Sequence, residues 1–311
     1  MTVSFANGKF LPVKNLDLTL YPGEVVGLVG ESGSGKSLTA LSIMGLLPHG
    51  ARMESGTISF QGRPLHLASP NDRRALCGRH MGMVFQEPLT ALNPVLTIGE
   101  QVAEIFRLRQ NKSPARAWKL ALDLLTQVGL PNPAKSMESH PHRFSGGMRQ
   151  RVDIAIALAQ NPELVIADEP TTALDPTIAA QIIRLLKDMT ASRGAAVLFI
   201  THNLRLLHDL ADRVLVMYAG LLVEETGGDL SSPLHPYTAG LLQALPPRPS
   251  EKRPERLIPI PGQPPAPGER RPGCPFEPRC AQKLPVCQET TPPMIEATPG
   301  RKVRCHRQAH A

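Results

Sequence analysis

Unbroken apolar runs that close on a glycine, a carboxylate or another polar side chain recur along the chain and alternate with segments of helical periodicity. Val25-Val26-Gly27-Leu28-Val29, preceded by Pro22-Gly23, suits a strand of a parallel sheet buried on both faces. Leu38, Leu41, Met44 and Leu47 then fall at helical spacing until Pro48 stops the run. Met81 to Phe85, Leu164 to Ala167 and Val197 to Ile200 read as further buried strands. From Thr97 to about Gln127 the apolar positions Ile98, Val102, Ile105 and Leu108, then Trp118, Ala121, Leu122 and Leu125, predict a helical insert in which Trp118 is a packing anchor. Near the N-terminus, Thr2 to Phe5 and Leu16 to Leu20 read as strands around an Ala6-Asn7-Gly8 turn, and Thr57 to Phe60 as a strand before Gln61-Gly62.

The chemistry sits where these runs end. Gly30-Glu31-Ser32-Gly33-Ser34-Gly35-Lys36-Ser37 fits G-x-x-x-x-G-K-[ST] between a strand and a helix. Small residues there let backbone N–H groups close around phosphate oxygens at the positive end of the helix dipole. Lys36 then reaches the β- and γ-phosphates, and Ser37 ligates Mg²⁺. The strand at Met81 ends on Gln86, placed to sense Mg²⁺ and the attacking water. Ser145 is a good N-cap, and Gly146 and Gly147 let a second anion approach the helix that follows. The Leu164 run ends abruptly on Asp168-Glu169, and carboxylates beside a buried strand are costly without a chemical role. Asp168 suits the Mg²⁺ water shell and Glu169 the base that polarises the attacking water. His202 closes the Val197 run as a contact for the γ-phosphate.

Taken together, the phosphate loop, Gln86, Ser145-Gly146-Gly147-Met148-Arg149-Gln150, Asp168-Glu169, Asp175 and His202 resemble the ATP-binding subunit of ABC transporters over about residues 1–230. The resemblance implies an α/β P-loop ATPase with an inserted helical subdomain at about residues 89–160. Gly30 to Ser37 is then the Walker A loop, Gln86 the Q-loop residue, Ser145 to Gln150 the signature, Asp168 the Walker B residue, Asp175 the D-loop residue and His202 the switch histidine. It further implies a head-to-tail pair of ATPases in which each ATP lies between one subunit's Walker A and the other's signature, so Ser145 and Gly147 serve a nucleotide bound mainly by the partner. Phe144 stands where Leu is usual in the family, and Asn203 where Asp is frequent. Phe5 and Phe10 are the two candidates for stacking on adenine.

Composition sets the remaining bounds. With 41% apolar and 20% charged residues, the 311-residue chain is expected to fold as a globular protein. No apolar run approaches membrane-spanning length, and Met1-Thr2-Val3-Ser4-Phe5 lacks the features of a signal peptide, so a cytoplasmic location is expected. Residues 231–311 hold 12 Lys/Arg against 6 Asp/Glu, most of the net charge of +7, and 18 of the 32 prolines, which predicts a boundary near Ser231-Ser232-Pro233. No aromatic interleaving accompanies this charge, so a nucleic-acid partner is not expected.

This tail, through His235 to Leu242, Ile258 to Gly262 and Gly273 to Cys280, resembles the C-terminal extension of the oligopeptide, dipeptide and nickel importer ATPases. That implies uptake of a peptide-like solute, or alternatively a nickel or other metal chelate. The implied partners are two permease subunits, an extracytoplasmic binding protein and a second, different ATPase, with the chain peripheral at the cytoplasmic face of the membrane. Pro88 to Pro94 is the expected docking point for a permease helix. A silent regulatory subunit and a non-transport ATPase of the same superfamily are the other readings. Cys274, Cys280, Cys287 and Cys305 suit a tetrathiolate for Zn²⁺ or a [4Fe-4S] cluster, or are packing thiols; the resemblance favours iron-sulfur. Cys77 stands apart as an ordinary thiol.

Overall fold

A computed structural model of the chain describes residues 1–5, 8, 10–87, 91–172, 174–245, 257–266, 269 and 272–309. The Ala6-Asn7 portion of the expected turn and the Pro88 to Thr90 portion of the expected docking stretch lie outside the described residues.

The chain divides into two compact units, Met1–Thr19, Val25–His66 and Thr201–Ala311 in the first, and Leu20–Glu24 and Leu67–Ile200 in the second. The division does not fall at the composition step near Ser231. In the first unit the strand Val25–Val29 pairs in parallel with Arg213–Tyr218, which turns back into Leu221–Gly227. Ala219 and Gly220, both at positive φ, make the tight connection that a two-residue hairpin needs. Arg301–Val303 then pairs with Leu221–Gly227, and Ile295–Thr298 pairs with Arg301–Val303, so the tail continues the sheet that carries the phosphate loop. Val26, Leu28, Val29, Val214 and Val216 are fully buried, as the unbroken apolar runs require.

A small antiparallel sheet places Thr2–Phe5 between Phe10–Val13 and Ala51–Ser55. The second expected strand is therefore Phe10–Val13, and Leu16–Leu20 is not a strand. Asn15 adopts φ 45 and breaks the extended path, after which Leu16 exchanges both backbone hydrogen bonds with Met1. Ser59–Phe60 and Arg63–Pro64 form a short hairpin about Gln61 and Gly62, both at positive φ.

In the second unit Met81–Val84, Leu164–Asp168 and Ala196–Thr201 run in parallel with Leu164–Asp168 in the middle. The helical stretch after Thr97 is two helices, Ile98–Gln110 and Pro114–Gln127. Thr97 and Glu100 form a reciprocal capping box at the first, Asn111 ends it in the left-handed conformation, and Ser113 with Pro114 restarts the second. A Cβ at Gly99 would stand 2.6 Å from the Trp118 ring, so the close approach of the two helices depends on that glycine and on the indole that fills the space above it. Gly146–Leu158 packs on the Met81–Val84 strand and on the helix Pro176–Ala191. Among the described residues no helix is long and apolar enough to cross a membrane.

Candidate functional site

The helix Lys36–Met44 begins directly after Gly35, whose φ of 105 only glycine adopts without strain. A Cβ at Gly30 would collide with the Met217 carbonyl, and one at Gly35 with that of Pro12. The loop wraps around its own lysine. Lys36 is 5% exposed, and its Nζ donates to the carbonyls of Gly30 at 2.9 Å and Glu31 at 3.0 Å. Ser34 donates its N–H to Glu31 at 3.2 Å, and its carbonyl accepts from Gly220 at 3.0 Å, which ties the loop to the neighbouring hairpin. Ser37 lies half-buried one step further along the helix. A cavity of about 790 Å³ opens beside the loop, lined by Phe10, Pro12, Glu31, Ser32, Gly33 and Ser34 among others. Phe5 and Phe10 stack with ring centroids 6.2 Å apart, and of the two Phe10 reaches the cavity.

The second unit brings the carboxylates together with the glutamine. Asp168, the last residue of its strand, is 5% exposed, and the chain turns sharply at Glu169, held at φ 46. A left-handed glutamate costs about 1 kcal/mol or more and persists because its surroundings fix it. Its N–H donates to the Ile200 carbonyl at 2.9 Å, while its Oε2 accepts from Gln86 Nε2 at 3.2 Å and Thr172 Oγ1 at 2.8 Å. One residue before Gln86, the Phe85 N–H donates to the Asp153 carboxylate at 2.9 Å. Asp153 is buried, and that burial pushes its pKa up to about 7 despite the N–H it accepts from.

Ser145 caps the helix Gly146–Leu158, its Oγ accepting from Met148 N–H at 3.4 Å. Gly147 faces Ile178, with 2.7 Å left between an added Cβ and the isoleucine methyl, so the helix start approaches its neighbour closely. Asp175 caps that neighbouring helix, its Oδ1 accepting from Thr177 and Ile178 at 3.1 and 3.0 Å. Gln150 lies inward on its helix, 2% exposed, its amide nitrogen without a partner among the described residues. His202 is exposed just beyond the strand Ala196–Thr201 and belongs to the first unit, as the phosphate loop does.

The tail contributes contacts that the sequence patterns did not reveal. Arg279 makes a two-pronged ion pair with Glu31 of the phosphate loop, at 2.7 and 3.0 Å, and Tyr237 Oη accepts the Glu31 N–H at 2.8 Å. Glu224, fully buried in its strand, accepts from the N–H groups of Leu234 and His235 at 2.8 and 2.9 Å. An acidic residue inside an apolar strand was the available signal for Glu224. Arg279 had none.

The expected metal centre in the tail is corrected. Among the described residues no group of three or more His, Cys, Asp or Glu side chains is placed to hold a metal ion, although all four tail cysteines are described. All four are free thiols. Burial pushes the Cys274 thiol up to about 11 and raises Cys280 as well. The Cys287 sulfur accepts the Leu284 N–H at 3.5 Å.

Comparison with known proteins places this architecture. Residues 13–172 match the family described as ABC transporter, and residues 229–287 the family described as oligopeptide/dipeptide transporter, C-terminal region. The oligopeptide transport ATP-binding protein AppD of Bacillus subtilis (strain 168) is 46% identical over 296 residues, covering 94% of this chain and 90% of the relative. The dipeptide transport ATP-binding protein DppD of Escherichia coli (strain K12) is 43% identical over 299 residues, covering 96% and 91%. Among solved structures, the dimeric post-hydrolysis state of the ATP-binding cassette MJ0796 bound to ADP and Pi superposes with a TM-score of 0.64 at 29% identity, covering 71% of this chain and 92% of that one.

Proposed function

Because the chain belongs to the ABC transporter family, with a tail of the oligopeptide/dipeptide transporter type, we propose that it hydrolyses ATP to drive uptake of a di- or oligopeptide through separate permease subunits. The observations that carry the reading are, in the first unit, a glycine-shaped phosphate loop around Lys36 and, in the second, a glutamate held by Gln86 and Thr172.

Gly30, Glu31, Ser32, Gly33, Ser34 and Gly35 form the loop that cradles the phosphates, and Lys36 exchanges its carbonyl partners for phosphate oxygens when ATP binds. Mg²⁺ supplies charge neutralisation between phosphates, and the oxygen donors of this chain suited to it are the Ser37 hydroxyl, the Asp168 carboxylate and the Gln86 amide. Glu169 accepts a proton from the attacking water. Gln86 and Thr172 hold its Oε2 in one orientation, and His202 contacts the γ-phosphate. Phe10 and the cavity beside the loop suit the adenine ring. Ser145, Gly146 and Gly147 present a helix N-terminus to a nucleotide bound on a second ATPase, while Asp175 sets the neighbouring loop. Gln150 acts from inside the helix as packing for that surface.

The helices from Ile98 to Gln127 form a helical subdomain inserted in the α/β body, and residues 231–311 an extension of it. The permease helix docks near Asn93 and Pro94, after Gln86. The second ATPase is a different chain, and an extracytoplasmic binding protein delivers the solute. The chain acts at the cytoplasmic face of the membrane as a peripheral subunit. Reconstitution with the permeases in vesicles tests this reading. Peptide uptake that needs ATP, rises with loaded binding protein and disappears in Lys36→Ala supports it; uptake of nickel chelates with no response to peptides replaces the substrate class.

A further inference from the structure

Glu31 is the first variable residue of the phosphate loop, and each of its polar groups is engaged. Its carbonyl accepts from Lys36 and Ser34, its N–H donates to Tyr237 Oη at 2.8 Å, and its carboxylate pairs with Arg279 at 2.7 and 3.0 Å. The last two contacts come from the tail, Tyr237 on the helix Pro236–Gln243 and Arg279 on the short turn of helix Glu277–Arg279. The Arg279 side chain is 4% exposed and fixed on every side. Its Nε donates to the Pro261 carbonyl at 2.9 Å, and it donates to Tyr218 Oη at 3.3 Å. The guanidinium lies 5.8 and 6.0 Å from the ring centres of Tyr218 and Phe276, which pack with Tyr237 as a cluster of three rings. A planar fork held so tightly fixes the carboxylate in position as well as in charge.

We propose that Arg279 and Tyr237 of the tail are positioning residues for the phosphate loop, and that Arg279 neutralises a loop carboxylate that otherwise repels ATP. The inference rests on the reading that this loop binds ATP. The physical reason is that an unpaired carboxylate in a phosphate-binding loop opposes the charge of the triphosphate, while Glu31 also supplies the carbonyl that Lys36 leaves on binding. Tyr237 meanwhile occupies the Glu31 N–H, so the anion is met by the loop N–H groups further along. The C-terminal tail thereby sets the nucleotide affinity of a loop more than two hundred residues away in sequence, 248 positions separating Glu31 from Arg279.

The test is mant-ATP binding with Mg²⁺ by the full chain, read by fluorescence titration, with the unfolding temperature of each variant as the fold control. Arg279→Met is expected to weaken binding about tenfold, within the range of ordinary coupling between sites. Adding Glu31→Gln to that variant is expected to recover affinity to within about threefold of Glu31→Gln alone, because the repelling charge is gone. A packing defect gives no such rescue. Arg279→Lys, which keeps the charge and loses the fork, and Tyr237→Phe, which loses the hydroxyl, are each expected to weaken binding about threefold in a chain that still unfolds cooperatively above the assay temperature. Wild-type affinity in Arg279→Met, or a double variant no better than Arg279→Met, overturns the proposal; should Arg279→Met not fold, wild-type affinity in both Arg279→Lys and Tyr237→Phe overturns it. Lys36→Ala separates the two layers. If it binds mant-ATP as wild type does, the reading of the loop itself fails; if it loses binding while the Arg279 variants do not, only this inference fails.

Discussion

Replacing Asp153 by Asn removes a buried negative charge while keeping an oxygen to accept the Phe85 N–H. In the folded chain burial pushes the Asp153 pKa up to about 7 from the ordinary 3.8. Between those values the folded state binds more protons than the unfolded state, so stability falls as pH rises. The contribution is fully present below the unfolded pKa and is lost as pH rises through 7. Between pH 5 and pH 8 the loss amounts to about 3 kcal/mol, taking about 1.4 kcal/mol per pKa unit. Asp153→Asn does not titrate here. Relative to wild type it should therefore gain about 3 kcal/mol of stability across that interval, with every other titrating group cancelling in the difference. Urea unfolding of both proteins at pH 5, 6, 7 and 8 measures this directly. A difference between the two proteins that stays constant across the series refutes the reasoning, because it means that Asp153 keeps its charge or titrates alike in both states. Asp153 bonds to Phe85, the residue before Gln86.

Three further outcomes are expected. Thr172→Ala removes one of the two donors to Glu169 Oε2, and should lower kcat for ATP several-fold with KM little changed in steady-state assays of the assembled transporter. Glu224→Ala leaves the N–H groups of Leu234 and His235 without their acceptor, and should destabilise the first unit by about 1–3 kcal/mol, seen as a lower unfolding temperature and faster amide exchange at those two positions. Gly35→Ala forces a side chain onto φ 105 and against the Pro12 carbonyl, and should abolish measurable mant-ATP binding while the rest of the chain still folds by circular dichroism.

The chemistry was legible in the sequence where it is local in the chain. Gly30 to Ser37 carries its own strand, turn and helix start, and Asp168-Glu169 announces itself by ending a buried run. Contacts made by folding were not legible in the same way. Glu31 and Arg279 lie far apart with no shared periodicity, and Thr172 beside Glu169 has no pattern of its own. The strand reading fails at Leu16 to Leu20, where Leu16 is buried as a strand residue would be but the backbone bonds to Met1 instead of to a ladder. The four tail cysteines show a different failure: spacing gives the number of thiols, whereas a metal site depends on their geometry in the fold, which spacing along the chain does not fix.

ATP turnover by Glu169→Gln in the complete transporter, with permeases, second ATPase and peptide-loaded binding protein in vesicles, tests the central claim most directly. Single-turnover hydrolysis at the site formed by this chain should fall at least a hundredfold while ATP remains bound, because the amide keeps the place held by Gln86 and Thr172 and loses the basicity. Hydrolysis at the wild-type rate contradicts the account and takes the role of base away from Glu169.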